Sequence, residues 1–285
     1  MKPRAWRWRR LGHLLWLCTF LAGSARAEAP PRIAILIDDL GRVLDAGRAV
    51  IDLPGPVACA FLPYAPHTAT LAREAHAAGK EVLLHLPMQS AAERPLDRGG
   101  LTLDMTRTAL LHTLADDLAR VPYAVGVNNH MGSLLTRHPG HMTWLMQELH
   151  RRGLFFIDSR TTPFTVARRM AFEQHLPSRR RDVFLDPAPG AAEVEREFHR
   201  LLALARRRGS ALAIGHPRPE TIRILARELP RLQAEGIRLV PVGVLVQQQY
   251  ARDQQWRLSS SPWPRVAKNS RPSPSSTCCG VPASR

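Results

Sequence analysis

Residues 32–41 read Arg-Ile-Ala-Ile-Leu-Ile-Asp-Asp-Leu-Gly. The apolar part is rich in β-branched side chains and too short for a helix, so it has the composition of a strand buried on both faces. It ends in two adjacent carboxylates, Asp38 and Asp39. Neighbouring carboxylates at a buried strand end repel each other and lose hydration, at a cost that a cation or a proton must relieve. The stretch therefore predicts a core strand whose last residues bind a metal or carry acid–base chemistry.

Outward from it the same grammar repeats. Short apolar runs recur as VACAFLP (57–63), EVLLHLP (81–87), AVGVNN (124–129), LFFIDS (154–159), DVFLD (182–186), ALAIGH (211–216) and IRLVPVGVLV (237–246). Between them lie stretches with helical spacing at 67–79, 106–121, 139–153, 191–209 and 218–236, several closed by the glycine that caps a helix before the next strand. Strands that alternate with helices imply a parallel sheet. Eight strands in about 220 residues fit a closed or nearly closed β/α barrel better than an open doubly wound sheet.

Polar residues gather at one end of that barrel. The carboxyl ends of the strands supply Asp38 and Asp39, His85, Asn128, Asn129 and His130, Asp158 and Ser159, Asp186, and His216. Structural polar groups would scatter over both strand ends, whereas β/α barrels build active sites at this one. Each residue alone has an ordinary reading: Asp186 before Pro187 can brace a turn, and a lone His85 can be a satisfied core histidine. Together, carboxylates and imidazoles at one mouth form the oxygen and nitrogen set that suits zinc or a related divalent ion. Most other histidines fall in helices or loops, though His67 follows the second strand closely enough to reach the mouth.

Composition bounds the rest. The chain has 285 residues, 45% hydrophobic, with a net charge of +16. That excess sits mostly at the ends: residues 1–27 hold six bases and no acid, and residues 251–285 hold six bases against Asp253. A fold that binds nucleic acid would concentrate basic charge on its folded part, so nucleic acid is excluded as a partner. The basic MKPRAWRWRR, the apolar LGHLLWLCTFLAG and the small-residue Ser24-Ala25-Arg26-Ala27 have the layout of a secretory signal peptide cut after Ala27. The alternative, an uncleaved anchor, meets an apolar run shorter than a spanning helix needs. The expected organisation is a signal peptide at 1–27, a barrel domain at 28–250, and a disordered, basic, Pro/Ser-rich tail at 251–285. Membrane contact is expected only through the signal segment before cleavage, and the mature protein is expected in the periplasm or otherwise outside the cytoplasm. Cys59 reads as a buried small hydrophobe, and no cysteine pair in the folded part forms a disulfide framework.

Six blocks in order, IAILIDDLG, LLHLPM, GVNNHMGS, FIDSRTTP, VFLD and IGHPRPET, resemble those of the divergent polysaccharide deacetylases, relatives of the NodB-type carbohydrate esterases, over nearly all of residues 32–246. The resemblance implies a NodB-like barrel, seven- or eight-stranded and open to distortion. It implies Asp38 as general base and Asp39 as metal ligand. A motif with two histidines four residues apart matches at His85, while its second position falls on Gln89, so His130 is taken as the replacement ligand. Asn128 stands where an arginine usually steadies the catalytic aspartate. His216 matches the acid that protonates the leaving group, oriented by Asp158, counted with the catalytic residues, or by Asp186. The activity implied is removal of acetyl groups from a polysaccharide or glycan with a divalent ion, zinc first. The alternative is a catalytically degenerate, glycan-binding barrel of the same fold. Retention of both Asp38 and His216 weighs for the hydrolase, because binding needs neither a base nor an acid.

Overall fold

The opening stretch forms β1 (Arg32–Leu40), and every strand pairing around it is parallel. The computed structural model describes residues 29–92 and 94–260. The expected signal peptide lies outside them. After β1 come α1 (Leu44–Ile51), β2 (Ala58–Phe61), α2 (Thr68–Ala77), β3 (Val82–Met88), α3 (Arg107–Arg120) and β4 (Ala124–Met131). The second half holds α4 (Pro139–Arg151), β5 (Phe155–Asp158), α5 (Ala167–Glu173), β6 (Ser178–Arg180), β7 (Val183–Phe184), α6 (Ala191–Arg208), β8 (Ser210–Gly215), α7 (Pro219–Glu228), β9 (Arg238–Leu239) and α8 (Val242–Ser260).

The strand order β6-β5-β4-β3-β2-β1-β8-β7, with β9 against β1, makes a curled parallel half-barrel with helices outside. It is a NodB-like barrel left open at one seam. Across that seam runs a single segment. Ser178–Arg180 pairs with β5, Asp182 N donates to the Leu212 carbonyl, and Val183–Phe184 pairs with β8.

The two faces of the sheet carry different cores. Ile33, Ile35 and Ile37 of β1 pack with the helices, while Ala34 and Leu36 join Ala58, Ala60, Leu83, Leu212 and Ile214 in a smaller inner cluster. Strand residues alternate in direction. By that parity Asp38 follows Ala34 and Leu36 inward, His85 follows Leu83, and His216 follows Leu212 and Ile214. The cross-strand partners Ile157 and Asn128 share a direction, as do Phe184 and Ile214, which turns Asn128 and Asp186 inward and Asp158 outward.

Two expectations are corrected here. Of IRLVPVGVLV only Arg238–Leu239 is strand, because Pro241 has no N–H for the ladder and its fixed φ suits a helix start. Val242, Leu245 and Val246 then fall at helical spacing and plug the inner cluster, with Glu81 accepting from Gly243 N at 3.0 Å. The disordered tail expected from residue 251 is also overturned over its first ten residues, since α8 runs through to Ser260. Asp253 pairs with Arg168 at 2.6 Å, and the Arg257 guanidinium lies 3.8 Å over the Phe172 ring while donating to the Phe172 carbonyl. Residues 261–285 lie outside the described residues.

Candidate active site

Asp38 and Asp39 both reach the mouth because β1 breaks its register between Ile37 and Leu40. Asp39 takes φ +58° there, a left-handed conformation that non-glycine residues accept only when the surroundings impose it. Gly41 follows at φ +106°, where an added Cβ would meet Thr68 Oγ1 at 2.3 Å. The turn thus needs glycine both for its φ and for the close approach of α2.

Three ligand-type atoms converge above β1, β3 and β4. Asp39 Oδ1 lies 3.2 Å from His85 Nε2 and 2.9 Å from His130 Nδ1, and the two ring nitrogens are 3.1 Å apart. The outer nitrogens settle the tautomers. His85 Nδ1 is 3.0 Å from Asn128 Oδ1, and Asn128 is oriented by donating Nδ2 to Asp38 Oδ1 at 2.9 Å and to Ser159 Oγ at 3.1 Å. His85 therefore donates from Nδ1 and turns a lone pair inward on Nε2. His130 Nε2 faces Asp97 Oδ2 at 3.2 Å, which favours its proton there and leaves Nδ1 bare. Asp39 Oδ1 is buried without a hydrogen-bond partner.

Three lone-pair atoms aimed at one another repel unless a cation stands between them. Tetrahedral ligands of a zinc-like ion lie roughly 3.3 Å apart, close to the edges of this triangle. These residues form the one cluster of this kind among the described residues, and they fit a divalent ion by both spacing and donor type. Asp97, itself held by Arg42 Nη2 at 2.8 Å, supplies the carboxylate that metal-binding histidines commonly have behind them.

Across the mouth stands a different couple. His216 Nδ1 meets Asp186 Oδ1 at 2.9 Å, while Asp186 Oδ2 accepts from His216 N and Thr221 Oγ1, each at 2.8 Å. Every acceptor of that carboxylate is engaged. His216 Nε2 faces the mouth, 3.8 Å from Asp39 Oδ2.

Titration follows from these surroundings. Burial raises the Asp38 carboxyl above its ordinary range, with His85 and His216 opposing. Burial acts the same way on Asp39, but a proton on the facing nitrogen of His130 or His85 outweighs it and holds that carboxyl below the usual range, the place a cation takes when both rings present lone pairs. Burial lowers the His216 imidazole, and Asp186 overrides it to leave a net upward shift. Asp186 is held down by His216 against its own burial.

Of the residues expected from sequence, the structure brings Asp38, Asp39, His85, His130 and His216 together. Asp158 is the exception and is corrected. Its carboxylate faces away from His216, accepting from Arg160 N at 2.9 Å and Thr165 Oγ1 at 3.1 Å, because β5 presents Ile157 rather than Asp158 to the interior. Asp186 orients His216 instead. Gln89 also stays out of the cluster, accepting from Leu103 N at 2.9 Å. Sequence reasoning missed Asp97 and Arg181. Arg181 lines the mouth from the seam, donating to the Ser159 and Arg160 carbonyls at 2.6 and 3.0 Å.

A cavity of about 430 Å³ opens over Asp38, His85, His130, Arg181, Phe184 and His216. A second, about 310 Å³, lies beyond Asp39 and His216 beside Arg42 and Arg218. A larger hollow, about 630 Å³ among prolines and Leu229–Leu239, lies at the opposite end of the strands and contains none of these groups.

The model of the divergent polysaccharide deacetylase family matches residues 35–246. The chain is 40% identical over 217 residues to an uncharacterized protein of Haemophilus influenzae, covering 76% of this chain and 77% of that one. It is 40% identical over 194 residues to the uncharacterized protein YibQ of Escherichia coli, spanning 68% of this chain and 61% of that protein's length. Among solved structures, an uncharacterized protein from Agrobacterium tumefaciens superposes at TM-score 0.73 and 23% identity over 77% of this chain and 90% of that one. The catalytic domain of a peptidoglycan N-acetylglucosamine deacetylase from Eubacterium rectale does so at 0.50 and 15% identity over 75% and 89%. Both likenesses are of fold.

Proposed function

The chain belongs to the divergent polysaccharide deacetylase family, and from that premise we propose that it is an exported, metal-dependent hydrolase that removes acetyl groups from a polysaccharide or glycan. The observation that carries the reading is the convergence of Asp39 Oδ1, His85 Nε2 and His130 Nδ1, with the Asp38 carboxylate on one side and the Asp186–His216 couple on the other. Asp39, His85 and His130 would hold the ion, zinc being our first choice. When bound, such an ion polarises a carbonyl oxygen and lowers the pKa of water.

The chain's own residues supply the rest. Asp38 takes the proton of the attacking water, and its raised pKa moves it toward the working range of a base. The Asn128 amide, bonded to both Asp38 and His85, fixes the distance between base and ligand. His216 delivers a proton from Nε2 to the departing amine or sugar oxygen. Asp186 keeps the opposite nitrogen protonated and stabilises the imidazolium before transfer. The two cavities flanking the couple give a glycan room on both sides of the scissile bond.

The test is acetate release from acetylated chitooligosaccharides and acetylated xylan by protein stripped with chelator and reloaded with zinc, cobalt or nickel. Release that depends on the added ion supports the hydrolase. No release with any ion, accompanied by retained glycan binding, overturns it in favour of the binding barrel. Export is tested separately by intact mass of protein from the native envelope, where retention of Met1 on the bulk of the protein overturns cleavage after Ala27.

A further inference from the structure

The seam holds a second charged cavity that the mouth does not use. It measures about 380 Å³ and is lined by Arg168, Arg179, Arg180, Arg208 and Arg252. These come from α5, β6, the end of α6 and α8, so the fold gathers them rather than a basic run of sequence. Ser210, which also lines it, opens β8, and His216 follows that strand's far end. At about 3.3 Å per residue the two sites stand roughly 20 Å apart.

Counter-charge in this cavity is short. Asp182 lies 3.2 Å from Arg179 and 3.8 Å from Arg208, and Asp253 takes Arg168 at 2.6 Å. Arg180 and Arg252 have no carboxylate partner among the described residues. Residues 261–285 contain no Asp or Glu with which to supply one. Among the described residues, five guanidiniums thus meet two carboxylates.

The most deeply set of them is also under-partnered. Arg179 is 7% exposed. Its Nη2 donates to Asp182 and to the Ser210 carbonyl and hydroxyl at 3.2–3.4 Å, yet its Nη1 has no acceptor. Burial pushes its pKa down, and although Asp182 opposes this, Arg252 and Arg168 add to it. A buried cation is costly unless anions surround it.

We propose that this cavity binds a phosphate monoester of sugar size, either free or as a lipid headgroup. A surplus of three positive charges is best met by a dianion, because a single carboxylate would leave most of it standing. The guanidinium fork pairs with phosphate oxygens two at a time. The volume exceeds that of bare phosphate and leaves room for a polar body attached to it. The site stands whether or not the mouth hydrolyses acetyl groups.

Calorimetric titration of the full chain with glucose 6-phosphate, inorganic phosphate and glucose tests it, beside flotation with phosphatidylcholine vesicles made with and without phosphatidic acid. Glucose 6-phosphate is expected to bind one per chain and more tightly than inorganic phosphate, with glucose silent and affinity falling as salt rises. Arg180 and Arg252 are solvent-exposed, so the double variant Arg180→Gln, Arg252→Gln folds normally and is expected to weaken binding about tenfold or more. Arg179→Gln is expected to do the same, with circular dichroism confirming its fold. Capture by phosphatidic acid vesicles alone, lost in the double variant, assigns the site to a lipid headgroup. Capture of the soluble esters alone assigns it to a free ligand. Absence of saturable binding to every probe, or binding that the double variant leaves unchanged, overturns the proposal.

Discussion

The mouth of the barrel holds two carboxylate–histidine arrangements built from the same residue types with opposite bonding. Asp186 and His216 are a closed couple, every acceptor of the carboxylate being met by a donor. Asp39, His85 and His130 are open: the atoms are equally close, yet the carboxylate oxygen has no hydrogen-bond partner and two imidazole lone pairs face it. A closed couple holds one proton in a defined place. An open triangle is stable only around a cation. The contrast teaches that donor direction, more than distance or composition, separates a group fitted to move protons from one fitted to hold metal.

Metal content should break the comparison most visibly. Asp39→Ala, His85→Ala or His130→Ala is expected to lower stoichiometric metal binding by about 10²-fold or more, since two of three ligands make a weak site. Asp186→Asn, at a more deeply buried carboxylate, is expected to leave metal content intact. Plasma mass spectrometry after dialysis reads both. Equal loss in all four variants would mean that the two arrangements are one site.

Turnover should separate them in the other direction. Asp38→Asn and His216→Ala are expected to keep the ion and to lose acetate release by roughly 10²-fold or more, as removal of a positioned base or acid does. His216→Ala should matter least for nitrophenyl acetate, whose leaving group needs no proton. Equal damage on activated and unactivated substrates would remove His216 from the role of acid. Asp158→Asn serves as the control, because that carboxylate braces the loop at Arg160 and Thr165 rather than the histidine.

That control also marks where the sequence stopped being readable. The apolar runs ending in Asp38, His85, His130 and His216 could be found by pattern, because strand ends and barrel mouths coincide. The choice between Asp158 and Asp186 turned on which residue shares a direction with Asn128 or Ile214, and cross-strand register is set by neighbours far away in the chain. Val242, Leu245 and Val246 read as strand for a different, local reason: a short apolar run fits either period until Pro241 ends the ladder. Asp97 carried no signal at all. It lies in the loop between β3 and α3, and only folding brings it to His130.

A smaller effect would sharpen the open arrangement. If Asp97 steadies His130 from behind, Asp97→Asn should weaken metal affinity about 10- to 100-fold while preserving stoichiometry at saturation, the range found for carboxylates that orient a ligating histidine. Competition with a chromophoric chelator measures it. An affinity equal to wild type would leave Asp97 as a partner of Arg42 only.

A third carboxylate, buried away from the mouth, shows what happens when no histidine is offered and the nearby cation, Arg120, forms no ion pair with it, and it gives the smallest effect. Asp117 on α3 is fully buried with both oxygens unpartnered, and burial together with Asp116 pushes its pKa up to about 8, with Arg120 opposing. It solves the problem of Asp39 and Asp186 by keeping its proton. Its folded pKa is above the unfolded one, so the native state holds the extra proton between roughly pH 4 and 8. The associated stability is complete below the unfolded pKa and is lost as pH rises through the folded value. One proton sets an upper limit of about 1.4 kcal/mol per pH unit on that slope. Asn has similar volume and cannot ionise, so Asp117→Asn should flatten the decline between pH 6 and pH 8, raising the urea midpoint at the alkaline end relative to wild type. A midpoint that falls equally with pH in both proteins would show that Asp117 is ionised in the fold and that some other group neutralises it.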